Sequence, residues 1–152
     1  TELAVYGRQT KRGSSWMDTI FRVPQRRDPN RNRKPDVAFT TFERWPEDRP
    51  MPYRGNPVDV VPDLVVEVLS PTDQANDIQA RVNDFLRAGS RLVWVVYPAE
   101  QTVHAFSSPR DVRVFTDVDA LDGGDVLPGF AVPMAALFPP LDEPVPPSPD
   151  DV

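Results

Sequence analysis

With 152 residues and a formal net charge of −6, the chain is long enough for one buried core and too acidic overall for an indiscriminate nucleic-acid binder. It has no cysteine, which excludes disulfides, thiolate metal sites and a cysteine nucleophile, and fits a reducing, cytoplasmic compartment. No apolar run approaches the ~20 residues that a membrane-spanning helix needs.

The charge is unevenly placed. Residues 1–34 carry nine Lys or Arg and three acids, whereas the rest carry eight Lys or Arg and twenty acids. A basic segment of this kind serves either as a phosphate-backbone contact or as a solvated edge. The chain opens on Thr1, not Met, and with strand-like sequence, so an N-terminal portion is expected to be missing. Ser15 to Val23 (SWMDTIFRV) alternates apolar and polar positions and predicts one strand with a buried face. PQRRDPNRNRK, Pro24 to Lys34, is a turn-rich basic connection. Pro35 to Thr41 (PDVAFTT) predicts the next strand, antiparallel to the first, with Asp36 at its entry.

Glu43 to Val61 contains four prolines and little periodicity, a length of loop that is either functional, as a lid using Trp45, Tyr53 and Arg54, or a plain surface loop. Pro62 to Leu69 (PDLVVEVL) then reads as a strand covered on both faces, yet it contains Glu67. An unpaired carboxylate is costly there, so Glu67 must protonate, find a cation or bind a metal. Ser70-Pro71-Thr72-Asp73 carries the signals of a helix start, with Ser70 as N-cap. Ile78, Val82, Phe85 and Leu86 form one apolar stripe, and Gly89 ends the helix. Arg91 to Tyr97 (RLVWVVY) completes a βαβ unit with parallel strands.

Shorter strands are expected at Thr102 to Phe106 and around Val112 to Phe115. A turn at Asp122-Gly123-Gly124 and a short terminal helix or turn over Val132 to Phe138 follow. From Pro139 onward, six prolines and four acids share fourteen residues, the composition of a disordered tail. The expected organisation is therefore one α/β domain over residues 1–138 and a tail over 139–152.

Asp36 and Glu67 are acids on two successive core strands. A divalent cation between them, Mg²⁺ or Mn²⁺, would relieve their repulsion and equip the site for phosphodiester hydrolysis. Alternatively, an arginine neutralises Glu67 and Asp36 is a solvated strand-entry residue. Asp63 lies about 13 Å along the strand from Glu67, too far to share one ion, and is expected to position a turn. Arg81 borders the apolar stripe of the helix, where it either pairs with Asp77 one turn away or leans over the sheet toward Glu67. His104, the only histidine, is expected in solvent on a peripheral strand, which disfavours a serine-hydrolase machine.

Five segments, KPDVAF (34–39), PDLVVEVLSPTD (62–73), DIQARVNDFLRAG (77–89), RLVWVVYP (91–98) and GGDVLPGF (123–130), occur in the order seen in the Uma-type restriction endonucleases. That family belongs to the PD-(D/E)XK nuclease superfamily, and the resemblance covers Trp16 to Phe138. It implies a restriction-endonuclease-like mixed sheet with one main helix and C-terminal hairpin elements. It also implies a metal-dependent endonuclease acting on DNA, in which Asp36 and Glu67 are metal ligands. The usual lysine two residues after the acid is replaced by an apolar residue in this family, here Leu69, and a helix lysine substitutes. The matching position is Arg81, which carries charge but cannot act as a base. Tyr97 stands where the family usually has an aspartate, and the family's N-terminal helical segment is expected to precede the residues seen here. A homodimer is a further expectation. The other function class that these departures suggest is a catalytically silent module of the same fold that binds nucleic acid or a protein.

Overall fold

The computed structural model describes residues 1–138; the expected tail lies outside the described residues. In chain order the elements are α1 (Glu2–Thr10), β1 (Gly13–Met17), β2 (Phe21–Arg22), β3 (Asn32–Arg33), β4 (Val37–Thr41), β5 (Leu64–Val68), α2 (Ala75–Ala88), β6 (Leu92–Tyr97), β7 (Thr102–Phe106), β8 (Val112–Phe115), β9 (Ala120–Gly123) and β10 (Leu127–Pro133), then a 3-10 turn at Met134–Ala136. Six strands form one sheet in the order β1-β4-β5-β6-β7-β8, and β2–β3 and β9–β10 form two separate ladders. Within the large sheet β5 and β6 are parallel, and the other neighbours are antiparallel.

The alternation of side chains along the central strands builds two cores. Leu64 and Val66 face one way and pack with Leu3, Tyr6, Trp94 and Phe130, beneath α1 and the β9–β10 hairpin. Val65 faces the other way and packs with Val82 and Phe85 of α2 and with Phe21 and Val23 near the β2–β3 hairpin. The near-continuous apolar run of β5 is thus explained by cover on both faces. Across the α2 face, register sets Trp16, Ala38, Val65 and Val93 in one cross-strand row, and all four are buried. The Trp16 indole N–H donates to the buried Thr40 hydroxyl at 2.9 Å.

Three expectations are corrected. The opening residues are a helix, not a strand. Thr1 caps it by accepting from the Ala4 N–H at 3.2 Å, and Leu3, Tyr6 and Gly7 bury one side. Next, Ser15 to Val23 is not one strand. Asp18 takes a left-handed backbone (φ 48°) and breaks the run between β1 and β2. The break lets Trp16 and Phe21, which a straight strand would place on opposite faces, meet edge to face at 5.6 Å. Finally, α2 begins at Ala75, not after Ser70. The Ser70 N–H donates to the Asp73 carboxylate at 2.8 Å and closes a separate turn, and Gln74 remains extended before the helix starts. Gly89 ends α2 as expected, with φ 121° and its N–H reaching the Phe85 and Leu86 carbonyls.

The long segment between β4 and β5 is tied down at its first third. Trp45 is buried edge-to-face against Trp16 at 5.9 Å, so it belongs to the core and not to a contact surface. Arg44 pairs with Asp63 at 3.0 Å and donates to the Val61 carbonyl. Tyr53, by contrast, is 89% exposed.

Candidate active site

The row beyond Trp16–Ala38–Val65–Val93 on the α2 face is where apolar cover gives way to charge. Val37 pairs with Val66 and Ala38 with Val65, and continuing that register by one residue sets Asp36 opposite Glu67. Glu67 itself pairs with Val95 on β6, and Val95 with His104 on β7. Asp36 is held by its own chemistry: its Oδ2 accepts the Val68 N–H at 2.7 Å, a bond reaching from the entry of β4 to the end of β5. The two acids that sequence placed on successive strands therefore share one face and adjacent positions.

Glu67 is only 3% exposed, and its Oε1 is buried without a hydrogen-bond partner. Burial pushes its carboxyl up to about 7, opposed chiefly by the Arg81 guanidinium and reinforced by the neighbouring Asp36 charge. Arg81 leans from α2 over the sheet, as the sharper of the two sequence expectations had it. Its Nη1 lies 3.9 Å from Glu67 Oε2 and its Nη2 lies 3.8 Å from Asp73 Oδ1. Both separations exceed hydrogen-bond length, and the Arg81 Nε is buried without a partner. The guanidinium thus lends charge to Glu67 without being locked to it. Hydrogen bonds from Ser70 hold the Asp73 carboxyl below its usual range and keep this third acid ionised.

Asp63 plays the positional part expected of it. It is buried, accepts the Thr41 N–H at 2.7 Å and pairs with Arg44. His104 departs from expectation. It is half-buried with its ring 4.4 Å from the Tyr97 ring, and burial lowers its pKa. One strand, β6, lies between it and Glu67, so the two are roughly 10 Å apart across the sheet. Tyr97 and Leu69 line a neighbouring cleft of about 340 Å³ with Asp73 and Ile78.

Sequence reasoning missed Asp84. It sits on the same flank of α2 as Arg81, is 8% exposed, and binds two arginines of β3 and its approach. An acid beside an apolar stripe, with basic residues in the preceding hairpin, was the available signal.

Among the described residues, no group of three or more His, Cys, Asp or Glu side chains is arranged to hold a metal. Two carboxylates suit Mg²⁺ nonetheless, because that ion commonly keeps several waters and takes only one or two protein acids. The orphaned Glu67 Oε1 is the atom such an ion would satisfy.

A mixed sheet with one parallel βαβ unit, carrying an acid pair beneath a helix arginine, defines a nuclease-like α/β protein. Residues 2–135 match the Uma2 family, described as "Putative restriction endonuclease", and the chain belongs to that family. The match takes in α1, ahead of the stretch that motifs alone had covered. The fold is similar to a crystal structure at 1.96 Å resolution of "a putative nuclease belonging to DUF820" from Anabaena variabilis. The TM-score is 0.76 at 18% identity, over 90% of this chain and 74% of that one. No curated protein sequence matches the chain.

Proposed function

We propose that the protein is a cytoplasmic, metal-dependent endonuclease that hydrolyses DNA phosphodiester bonds, with Asp36 and Glu67 as metal ligands and Arg81 as the phosphate-facing cation. The observation that supports it most is the buried, unpartnered Oε1 of Glu67 directly across from Asp36. A structure that buries an acid this way destabilises itself unless a ligand completes the site. When bound, Mg²⁺ or Mn²⁺ would polarise a phosphate oxygen and lower the pKa of water at neutral pH. Asp36 is pre-set for the task, because the Val68 N–H fixes one carboxylate oxygen and leaves the other free. Glu67 must give up its proton to bind a cation, and Arg81 favours that ionisation.

Arg81 has a second role. Its loose contacts with Glu67 and Asp73 leave its N–H donors able to turn to a phosphate, where a planar guanidinium matches two oxygens. It stabilises negative charge there and takes no proton, since arginine stays charged at any working pH. One such site cuts one strand at a time, so cleavage of both strands is assigned to a homodimer.

Incubation of plasmid DNA with Mn²⁺ tests this. Wild type is expected to nick it, and Glu67→Gln and Asp36→Asn are expected to lose at least about a hundredfold of the rate. Undiminished cleavage by either variant overturns the assignment. The replacement of the helix lysine by Arg81 favours one second reading, a silent nucleic-acid-binding module. Under that reading Arg81→Lys creates or greatly raises cleavage from an inactive wild type, whereas the endonuclease reading has wild type active already.

A further inference from the structure

A second cleft, of about 530 Å³, opens between the loop joining β2 to β3 and the C-terminal half of α2. Its walls carry Arg26, Arg27, Arg31 and Arg87 against Asp28 and Asp84, a local positive excess in a chain of net charge −6. The cleft is a built feature. Gln25 and Asp28 exchange backbone hydrogen bonds of 2.9 and 3.1 Å, so Arg26 and Arg27 are the two central residues of a closed turn. The Gln25 side-chain amide donates to the Asp84 carbonyl at 2.8 Å. The buried Asp84 carboxylate accepts from Arg31 at 3.0 Å and from Arg33 at 2.9 and 2.7 Å. The helix thus holds the hairpin by a buried charge that would be costly to leave unpaired.

This arrangement sorts the arginines into two sets. Arg31 and Arg33 are engaged with Asp84, whereas Arg26, Arg27 and Arg87 are exposed and, among the described residues, make no side-chain hydrogen bond or ion pair. Holding three like charges around one cleft is unfavourable without a polyanion to answer them. The cleft and the acid pair are bordered by the same helix, α2, through Asp84 and Arg87 on one side and Arg81 on the other. Arg81, Asp84 and Arg87 follow one another at three-residue intervals on α2, and about 9 Å of helix axis separates Arg81 from Arg87. Arg33, three residues before Asp36, is close enough to lower the Glu67 pKa. Phosphates on one DNA strand advance about 3.4 Å each along the duplex axis, so cations spread over this length of helix meet neighbouring phosphates.

We propose that this cleft is the track for the phosphate backbone of the strand entering the Asp36–Glu67 site, with Arg26, Arg27 and Arg87 contacting successive phosphates beyond the point of cleavage. The assignment rests on the nuclease reading above. It is tested by fluorescence anisotropy with a labelled duplex of about 20 base pairs, without divalent metal, across roughly 50–200 mM salt. The variant carries Arg26→Gln, Arg27→Gln and Arg87→Gln, three exposed positions whose loss leaves the thermal midpoint in place. Its Kd is expected to rise at least about tenfold, and its log–log salt slope to fall by about 2 to 3, because each phosphate contact contributes about 0.9. Arg8→Gln on α1 with Lys11→Gln at its C-terminal cap, beside a different cleft, is expected to keep wild-type affinity and slope. A triple variant that binds like an otherwise competent wild type overturns the track and leaves the nuclease reading standing. A wild type that binds no duplex at any salt overturns both.

Discussion

Glu67→Gln should make the metal-free protein more stable at pH 8, with the gain shrinking steadily toward pH 5. Glu67 is 3% exposed, and its folded pKa is raised from 4.5 to about 7. The folded state therefore holds the proton more tightly than the unfolded state between those values. Stability is greatest below about pH 4.5, falls as pH rises to about 7, and stays flat above, the reverse of an acid held in a strong ion pair. At 1.36 kcal/mol per pKa unit, that interval corresponds to about 3 kcal/mol. Glutamine keeps the shape and has no charge to desolvate, so it escapes this loss. The gain at pH 8 is up to about 3 kcal/mol, a rise of about 6–12 °C in thermal midpoint for a chain of this size. Calorimetric melts of both proteins at pH 5, 6, 7 and 8 in the presence of a chelator read the difference directly. A variant no more stable than wild type at pH 8, with a parallel pH profile, would show that Arg81 and solvent compensate Glu67 fully, and the tension ascribed to the site would not exist.

Two further outcomes follow from the packing. Asp84→Asn should lower stability by about 2 kcal/mol, because Arg33 loses a charged two-point bond inside the fold; urea denaturation measures it, and an unchanged midpoint would remove Asp84 as the hairpin anchor. Gly13→Ala should cost about 2–3 kcal/mol, since a methyl group there meets the Thr40 carbonyl and lies 2.8 Å from the Phe39 ring. Faster amide exchange in α1 and β1 is the accompanying signature, and a fully stable variant would mean that the strand shifts freely.

The parts of this fold that were legible in the sequence are those governed by long, uninterrupted patterns. β5 and β6 announce themselves as apolar runs, and α2 by its four-residue stripe and terminal Gly89. Side-chain parity and chain order left Asp36, Glu67 and Arg81 as one of several open pairings, the family resemblance grouped the three, and the structure brings them together. What escaped was decided by short-range chemistry or tertiary contact. α1 has nine residues, too few for a period to stand out, and its helical state depends on Gly7 and Gly13 allowing close approach to β1. The break at Asp18 depends on one left-handed residue. Ser70 offered a helix cap but bonds instead within its own turn. The Asp84 network joins residues more than fifty positions apart, which no local pattern encodes.

Calorimetric titration of Mn²⁺ into wild type, Asp36→Asn and Glu67→Gln reads out whether Asp36 and Glu67 form one cation site. Wild type is expected to bind saturably, releasing protons at pH 6 as Glu67 ionises and few at pH 8, with no comparable binding to either variant while circular dichroism shows all three folded. Equal binding to all three proteins, or none to a folded wild type, would contradict a shared site.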